Sequence, residues 1–355
     1  MFPSPRRERR LYGEQQNLVS FASNDYLGLA ADRDLLAEVF ESVPERFGSS
    51  GSRLLGGDLA AHHILEEAIS AGLGTEAGLS FNSGYHTNVG ILSAVLEKQD
   101  VVFADKFCHA SIIDGILLSG AKLIRYKHND LDHLESLLST HRNTYNDALI
   151  VTESCFSMDG DLADIERLVA LKKSFSCKLY IDEAHAIGVL GPNGYGLCVS
   201  HAQDIDFIVG GFGKALGSCG GYLGCSDTIK QFLINSCRSF IYSTSLPLPV
   251  LKWNTSVWTQ LPQFQDRRES LQSLITWLSS TYPEITSPSH ISPIIIGDDD
   301  TALSLAKTLE TEGFFVAAIR PPTVPENTSR LRLSLSSTHT QVQLEGVLNC
   351  VREYI

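Results

Sequence analysis

Seven short apolar runs alternate with amphipathic, helix-like segments between about residues 60 and 245. Near-continuous apolar strands separated by helices are typical of a mostly parallel sheet that helices cover on both faces. The sequence therefore predicts an α/β fold with a large seven-stranded sheet domain. The predicted strands are Leu79–Phe81, Val101–Ala104, Leu123–Tyr126, Ala148–Thr152, Lys178–Ile181, Phe207–Val209 and Gly221–Gly224. The predicted helices include Ala61–Ala71, Asn88–Leu96, Leu131–Leu138 and Leu162–Phe175.

The pattern changes after Pro247-Leu248-Pro249. Residues 250–280 predict a long helical connection that is interrupted near Pro262. Residues 290–355 mix short strands with two helices, which predicts a smaller α+β domain. We expect an N-terminal segment (1–40) that packs with the small domain, a large domain (41–248) and a C-terminal small domain (249–355). The strands predicted here are Ser292–Ile296, Phe314–Ile319 and Arg330–Leu335, with helices near 300–312 and 340–353.

Charge and composition exclude several classes of protein. The formal net charge is −13 over 355 residues, which argues against a nucleic-acid partner, since such binding depends on Lys and Arg neutralising phosphates. No uncharged apolar run reaches membrane-spanning length, and the N-terminal cluster Arg6, Arg7, Arg9 and Arg10 is not followed by the apolar stretch of a signal peptide. The eight cysteines form no CxxC pair and no zinc-like spacing, so we expect no metal site and a cytoplasmic location.

Two residues with complementary chemistry follow predicted strands. Asp182 ends the run Leu179-Tyr180-Ile181-Asp182, and Lys214 follows Phe207-Ile208-Val209-Gly210-Gly211-Phe212-Gly213. In parallel sheets, ligands bind beyond the carboxyl ends of the strands. A poorly solvated lysine can form a Schiff base with an aldehyde, and an aspartate can keep a pyridine nitrogen protonated. This pair is what pyridoxal phosphate (PLP) chemistry requires.

Two nucleotide-binding interpretations of these segments fail. Asp182-Glu183-Ala184-His185 matches the acidic motif of a helicase class, but that class needs an earlier phosphate loop of the form GxxxxGK[ST]. The one Gly-Lys pair, Gly213-Lys214, comes after the acidic motif and lacks both the first glycine and the hydroxyl residue. A dinucleotide-binding fingerprint fails as well, because Leu216 occupies the position of the third glycine.

Four further segments could complete a cofactor site, although each also has an ordinary structural explanation. Ser83-Gly84-Tyr85 leads into a helix and could present backbone amides to an anion, or be a plain strand-to-helix turn. His109 could stack on a flat ring or cap a helix, and Ser157 could bond the cofactor or lie in a polar loop. Arg330 and Arg332 lie two residues apart in a predicted strand and so face the same side of it. They could bind a substrate carboxylate, or they could lie on a solvent-exposed face. In combination, these loops supply one cofactor's set of contacts.

Beyond these residues, the chain resembles the α-oxoamine synthases, which are fold-type-I PLP enzymes that condense an amino acid with an acyl thioester and release carbon dioxide. The resemblance covers nearly the whole chain. It rests on Ser23–Leu29, Gly48–Arg53, His109–Ser111, Phe156–Asp161, Asp182–Gly188 and Tyr242–Ser245. The segment Ala318-Ile319-Arg320-Pro321-Pro322-Thr323-Val324-Pro325 is most similar to the branch that acts in biotin biosynthesis.

The resemblance implies a role for each matching residue. Lys214 would hold the cofactor and act as acid and base at the substrate Cα, Asp182 would pair with the pyridine nitrogen, and His109 would stack on the ring. The further contacts that it implies are cofactor contacts by Ser157 and His185, phosphate contacts by Gly84, Tyr85 and position 211 and by Ser243 and Thr244 of a partner subunit, and substrate contacts by Asn24, Thr323 and Arg332. The resemblance thus also implies a homodimer with shared active sites.

The reaction implied for the biotin-pathway branch joins L-alanine to a pimeloyl thioester. Other branches remain alternatives, namely glycine C-acetyltransferase, 5-aminolevulinate synthase and serine palmitoyltransferase. A non-catalytic scaffold that retains the fold is a further alternative, but it predicts loss of Lys214, Asp182 or Arg332, and all three are present.

The chain departs from the family pattern in two places. Gly211 stands where relatives commonly carry a threonine or serine bonded to the cofactor phosphate. We therefore expect weaker cofactor binding, since one charge-assisted hydrogen bond contributes about 1.5–3 kcal/mol. The N-terminal segment is short, and it is open whether Arg6, Arg7, Arg9 or Arg10 replaces a substrate-contacting arginine of the relatives.

Overall fold

The computed structural model describes residues 18–41, 46–285 and 287–354. These residues form two compact units. The first, here called the sheet unit, is Asn24–Ser270. The second, the terminal unit, combines the described residues 18–23 with residues 271–285 and 287–354. The cluster Arg6, Arg7, Arg9 and Arg10 lies outside the described residues.

The strands and helices are numbered here in chain order. The strands are β1 Val19–Ser20, β2 Ala77–Phe81, β3 Val101–Asp105, β4 Lys122–Tyr126, β5 Ala148–Glu153, β6 Lys178–Asp182, β7 Phe207–Gly211, β8 Gly221–Cys225, β9 Ile291–Gly297, β10 Phe314–Phe315, β11 Ala317–Ile319 and β12 Ser329–Ser334. The α-helices are α1 Arg33–Val39, α2 Ala60–Leu73, α3 Gly84–Val95, α4 Ala110–Ser119, α5 Leu131–His141, α6 Ile165–Ser174, α7 Asp227–Ser236, α8 Arg238–Ile241, α9 Leu248–Gln260, α10 Gln265–Thr281, α11 Asp299–Thr311 and α12 Gln341–Cys350.

The sheet unit contains a seven-stranded sheet in the order β2-β8-β7-β6-β5-β3-β4. Strand β8 runs antiparallel to both β2 and β7, and the remaining pairs are parallel. All seven predicted strands are therefore confirmed. The inner strands are buried almost throughout, whereas Lys122 and Arg125 are exposed on the edge strand β4. Charged residues on an edge discourage pairing with another chain.

Helices α3 and α4 pack against each other beside the sheet. A Cβ atom on Gly115 of α4 would lie 2.8 Å from the Asn88 carbonyl oxygen of α3, so this close approach requires glycine. Buried side chains of both helices join the strands in one apolar core, which includes Ile91, Ile112 and Val151. The packing fixes the starts of α3 and α4 relative to the sheet, and both starts carry predicted site residues.

Helix α9 belongs to the sheet unit, and polar anchors explain why. The Trp253 indole donates to the Leu216 carbonyl oxygen at 3.0 Å, and the Trp258 indole donates to that of Ala68 at 2.8 Å. Between them, Asn254 Nδ2 donates to the Cys219 carbonyl oxygen at 3.0 Å. The sheet unit thus extends to Ser270, beyond the boundary at residue 248 that the sequence predicts, and it begins at Asn24 rather than at residue 41.

The predicted interruption near Pro262 is confirmed. A 3₁₀ turn, Leu261–Phe264, separates α9 from α10 and has Pro262 in its first turn. Proline has no N–H with which to continue an α-helix. Among the described residues, no helix is both long enough and apolar enough to cross a membrane.

The terminal unit contains a three-stranded antiparallel sheet in the order β11-β12-β9. A separate parallel pair joins β1 to β10, with Val19 opposite Phe314. The predicted single strand Phe314–Ile319 is thus two short strands with different partners. Helices α11 and α12 confirm the two helices predicted in this region.

Candidate active site

Asp182 and Lys214 follow neighbouring parallel strands of the sheet unit. Asp182 is the last residue of β6, and the next backbone amide, that of Glu183, donates to the Val209 carbonyl oxygen of β7 at 2.7 Å. Lys214 lies three residues after the end of β7, in a tight loop closed by a hydrogen bond of 2.9 Å from the Gly217 amide to the Lys214 carbonyl oxygen. Both predicted residues therefore lie at the carboxyl edge of the sheet, where ligands of α/β proteins bind.

The Asp182 carboxylate is held from two sides. Asn88 Nδ2 donates to its Oδ2 at 2.8 Å, and the Ala184 amide donates to its Oδ1 at 2.9 Å. Asn88 is itself oriented, because the Tyr180 hydroxyl donates to its Oδ1 at 2.6 Å. All of these side chains are buried. These hydrogen bonds fix the orientation of the Asp182 carboxyl group.

His109 is connected to Asp182 through a chain of hydrogen bonds. It caps helix α4, and its Nδ1 lies 2.8 Å from Ser111 Oγ and accepts from the Ser111 amide at 3.3 Å. Because Nδ1 accepts from the Ser111 amide it carries no proton, so the Ser111 hydroxyl donates to it, while Ser111 Oγ itself accepts from Asn88 Nδ2 at 2.9 Å. This assigns the proton of the neutral imidazole to Nε2. Desolvation lowers the pKa of His109, and the charge of Lys214 adds to the effect against the opposing charge of Asp182.

A second carboxyl group, Glu153, lies beside Asp182. It ends β5 in register with Asp182, and its Oε1 accepts from the His109 amide at 2.6 Å. Burial and the charge of Asp182 raise the pKa of Glu153 to about 8, although the charge of Lys214 lowers it. Glu153 is thus a buried carboxyl group that carries a proton at neutral pH and fixes the backbone of His109.

The start of helix α3 is open to an anion. Ser83 caps the helix and accepts from the His86 amide at 3.1 Å. The amides of Gly84 and Tyr85 precede it, in the first turn, where backbone donors have no partner within the helix. A Cβ atom on Gly84 would meet only the Gly210 carbonyl oxygen, at 3.9 Å, and one on Gly211 only that of Gly220, at 3.6 Å. This space and these donors suit a phosphate group.

The predicted residues His185 and Asn24 are brought together by Tyr26. The buried Tyr26 hydroxyl lies 2.7 Å from His185 Nδ1 and donates to Asn24 Oδ1 at 3.0 Å. Ser157 lies half-buried in the loop after β5, which is closed by a hydrogen bond of 3.0 Å from the Phe156 amide to the Asp161 carbonyl oxygen. Tyr26 thus links the segment Ser23–Leu29 to His185.

Ser243 and Thr244 lie beside the motif Gly48–Arg53 rather than in the hydrogen-bonded chain around Asp182. Thr244 is exposed and forms a β-bridge with Ser52, and its carbonyl oxygen accepts from Asn82 Nδ2 at 2.5 Å. The following residue, Ser245, is buried and donates to the Gly57 carbonyl oxygen at 2.6 Å. The glycine- and serine-rich motif therefore holds the segment that carries Ser243 and Thr244.

Arg332 and Thr323 belong to the terminal unit, whereas the other predicted site residues belong to the sheet unit. Arg332 lies in β12, is 6% exposed, and donates to Ser334 Oγ at 2.5 Å. Arg330 in the same strand is also buried. A solvent-facing strand, one of the two interpretations of this sequence, does not fit these positions. Thr323 is exposed in a turn in which its amide donates to the Arg320 carbonyl oxygen at 3.1 Å.

The chain matches the family described as aminotransferase class I and II over residues 16–351. It is 42% identical to the 8-amino-7-oxononanoate synthase of Haemophilus ducreyi over 361 residues, covering 96% of this chain and 92% of the relative. It is also 42% identical to the enzyme of the same name from Chlorobaculum parvum, covering 95% and 89%. The chain belongs to the aminotransferase class I and II family.

Solved structures agree with this assignment. A serine palmitoyltransferase of Sphingomonas wittichii is 30% identical with a TM-score of 0.89, covering 95% of this chain and 87% of that one. An 8-amino-7-oxononanoate synthase from Francisella tularensis is 29% identical with a TM-score of 0.80, covering 95% and 99%. The predicted fold-type-I architecture and the resemblance to the α-oxoamine synthases are confirmed.

The chain is a PLP-dependent acyltransferase of the α-oxoamine synthase group, and PLP is its cofactor. The sheet unit fits this cofactor on three independent points. It has an oriented buried carboxylate in Asp182, an amine in the loop after the adjacent strand, and a capped helix start with room around Gly84. These groups match the three polar ends of PLP, which are the pyridine nitrogen, the aldehyde and the phosphate.

Sequence reasoning missed the residues that position Asp182 and His109. Asn88, Ser111 and Glu153 are buried and hydrogen-bonded to predicted site residues. A signal for Asn88 was present, since it lies four residues after Gly84 and therefore on the same face of α3. Glu153 follows the fourth predicted strand directly, just as Asp182 follows the fifth.

Proposed function

We propose that this enzyme condenses L-alanine with a pimeloyl thioester and releases 8-amino-7-oxononanoate, carbon dioxide and a thiol, as a step of biotin biosynthesis. Relatives named 8-amino-7-oxononanoate synthase, 42% identical over nearly the whole chain, support this substrate pair. The observation that carries the chemistry is the hydrogen-bonded chain from His109 through Ser111 and Asn88 to Asp182, beside the Lys214 loop. The pimeloyl group arrives on coenzyme A or on a carrier protein.

Lys214 is proposed to hold the cofactor and then to move protons at the substrate. When bound, PLP supplies an electron sink conjugated to the amino nitrogen of the substrate. Lys214 takes the proton from Cα of alanine, after which Cα forms a bond to the thioester carbonyl carbon and the thiolate leaves. The carboxylate then departs as carbon dioxide, and Lys214 returns a proton to Cα. The positive charge of Lys214 already acts on the neighbouring titratable groups His109 and Glu153.

Asp182 is proposed to keep a proton on the pyridine nitrogen, which requires a carboxylate fixed in one orientation. The bonds from Asn88 and from the Ala184 amide supply that orientation. His109 is proposed to lie over the ring face. An imidazole with its proton on Nε2 and its Nδ1 bonded to Ser111 cannot rotate without breaking both contacts. A fixed ring of this kind favours stacking over proton transfer.

The remaining cofactor contacts are proposed from the residues that surround these groups. Gly84 and Tyr85 would donate backbone amides to the phosphate, with Gly211 beside them. Ser157 and His185 would form hydrogen bonds on the side of the cofactor ring that carries its hydroxyl oxygen. The Tyr26 hydroxyl fixes the orientation of the His185 imidazole. The Tyr26→Phe variant tests this role, because it keeps the aromatic ring at position 26 but removes the hydrogen bond to His185.

Arg332, Asn24 and Thr323 are proposed as substrate contacts. A guanidinium group recognises a carboxylate through two parallel hydrogen bonds, which suits Arg332 for the carboxylate of alanine. Asn24 would lie near this carboxylate, and Thr323 would help to bind the acyl substrate. These assignments predict that Arg332→Lys raises KM for alanine more than KM for the thioester.

We propose a homodimer with shared sites, in which Ser243 and Thr244 of one protomer reach the phosphate of its partner. Large exposed apolar side chains near this segment support a protein interface, because monomers rarely expose such groups together. They include Phe47, Leu55 and Tyr242, which are 79%, 86% and 71% exposed. Mixing the Lys214→Ala and Thr244→Val variants should restore activity if sites are shared, because one site of the mixed dimer is intact. Sites built from single chains would give no restoration.

The proposed substrates are tested by product analysis. Purified enzyme is incubated with alanine, glycine or serine and with pimeloyl-CoA, acetyl-CoA, succinyl-CoA or palmitoyl-CoA, and released thiol and product mass are measured. We expect thiol release and 8-amino-7-oxononanoate with alanine and pimeloyl-CoA. Turnover with serine and palmitoyl-CoA, the pair implied by the serine palmitoyltransferase likeness, would overturn the proposal. Turnover with glycine alone would also overturn it.

We further propose a cytoplasmic location, which fits eight free cysteines.

A further inference from the structure

His128 lies between two carboxylates that come from different parts of the sheet unit. Its Nδ1 is 2.8 Å from Asp105 Oδ1, and its Nε2 is 2.8 Å from Asp161 Oδ2. Two aromatic rings complete its surroundings, with Phe107 at 4.5 Å between ring centroids and Phe156 edge-on at 4.4 Å. The His128 side chain is 19% exposed, and that of Asp105 is fully buried.

Both carboxylates are fixed by further bonds. Asp105 is the last residue of β3, and it accepts from the Phe107 amide and from the Asn129 amide, each at 2.8 Å. Asp161 Oδ2 also accepts from Asn129 Nδ2, which in addition donates to the Leu162 carbonyl oxygen at 3.3 Å. His128 and Asn129 therefore act together as one clasp, here called the His128 clasp, between Asp105 and Asp161.

The clasp joins two segments that carry proposed cofactor contacts. Asp105 lies four residues before His109, and Asp161 lies four residues after Ser157. The loop that carries Ser157 spans residues 156–161, closed by a bond from the Phe156 amide to the Asp161 carbonyl oxygen. The side chain of Asp161, at the end of this loop, also contacts Asn129 and His128. The Gly160 amide also donates to the Phe156 carbonyl oxygen at 3.0 Å, so the clasp is one of several anchors, and its loss should loosen the end of the loop at Asp161.

We propose that His128 is a positioning residue, which as an imidazolium holds the Ser157 loop in place for the cofactor by bridging Asp105 and Asp161. The proposal rests on the proposed cofactor contact of Ser157. The positive charge of His128 attracts both carboxylates. Partial burial lowers the pKa of His128, but the hydrogen bonds to the two carboxylates and their charges outweigh burial and raise this pKa to about 10. The clasp is therefore charged throughout the physiological range. Removal of the imidazole leaves two like charges facing each other across the gap.

The experiment compares His128→Gln and Asp161→Asn with wild type by hydrogen exchange, with and without PLP. His63→Gln is the matched control. His63 also pairs with an aspartate, Asp58, at 2.8 Å, but the His63 side chain is 55% exposed and lies at the surface. We expect exchange of the amides of residues 157–160 to rise about tenfold or more in both clasp variants, as loss of a charge-assisted bond implies. Amides of β6 should keep their wild-type protection, and the control should match wild type throughout.

PLP binding provides the second measurement. Titration of the cofactor-free proteins should give a dissociation constant about three- to thirtyfold higher for both clasp variants. The double variant His128→Gln/Asp161→Asn should be no worse than the worse single variant, because both residues act in one contact. If His128→Gln does not fold, Asp161→Asn alone decides, since it keeps the His128–Asp105 pair intact.

The outcomes separate this inference from the proposed function. If PLP protects residues 157–160 in wild type but neither variant changes their exchange, the clasp has no positioning role and the inference is wrong. If PLP binds to wild type without protecting these amides, the proposed contact of Ser157 fails instead. Uniform loss of protection across the sheet in both variants would also overturn the inference, because it would indicate a role in global stability alone.

Discussion

Replacement of Gly211 by threonine should strengthen cofactor binding. Gly211 ends β7 with a backbone conformation that other residues adopt, and an added Cβ atom would lie 3.6 Å from the Gly220 carbonyl oxygen, an ordinary van der Waals distance. The backbone at this position therefore has room for a Cβ atom. A hydroxyl donor at this position can bond the phosphate, which corresponds to about 1.5–3 kcal/mol, or an affinity about 10- to 150-fold higher.

The assay measures the dissociation constant of PLP by equilibrium dialysis of the cofactor-free protein against increasing PLP concentrations. Gly211→Ala is the matched control, since it adds the Cβ atom and removes backbone freedom but offers no donor. Gly210→Ala is a steric contrast, because its Cβ atom would lie 2.4 Å from the Tyr222 hydroxyl oxygen and should destabilise the strand. Equal PLP affinity for Gly211→Thr and Gly211→Ala would refute the reasoning that position 211 faces the phosphate.

Three further variants test the groups around the site. Asn88→Leu should lower the free energy of unfolding by about 3 kcal/mol in urea, because it leaves the buried Tyr180 hydroxyl without a partner and removes one of the two hydrogen bonds to the Asp182 carboxylate. Glu153→Gln should gain thermal stability relative to wild type as pH rises from 4.5 to about 8, since the raised pKa of Glu153 makes its ionisation destabilising in that window; a constant difference would contradict this. His128 stabilises fully below pH 6.5 and loses this effect as pH rises towards about 10, so His128→Gln should remove that part of the pH dependence of unfolding.

The strands of the large sheet were predictable because each is a short apolar run bounded by polar or glycine-rich turns. The terminal unit was less predictable. One apolar run, Phe314–Ile319, changes its partner half-way, from β1 to β12, and periodicity carries no information on pairing partners. Helix α9 joins the sheet unit through indole donors to carbonyl oxygens, one of them 190 residues away. Such long-range polar anchors leave no local sequence pattern.

The candidate site shows the same division. The location of Asp182 and Lys214 at one edge of the sheet was predictable, since parallel strands place their carboxyl ends together. The side chains that orient them were not, because Asn88 and Ser111 lie within helices whose packing brings them together. The clasp around His128 needs three separate strand ends to be assembled before its two carboxylates meet.

Borohydride reduction tests the central claim most directly. The claim is that Lys214 forms the covalent link to PLP at the carboxyl edge of the sheet. Holoenzyme is reduced with borohydride, digested and analysed by mass spectrometry, with Lys214→Ala as the control. We predict a stable cofactor adduct on the peptide that contains Lys214 and no adduct in the variant. An adduct on a different lysine, or none in a holoenzyme that binds PLP, would contradict the account.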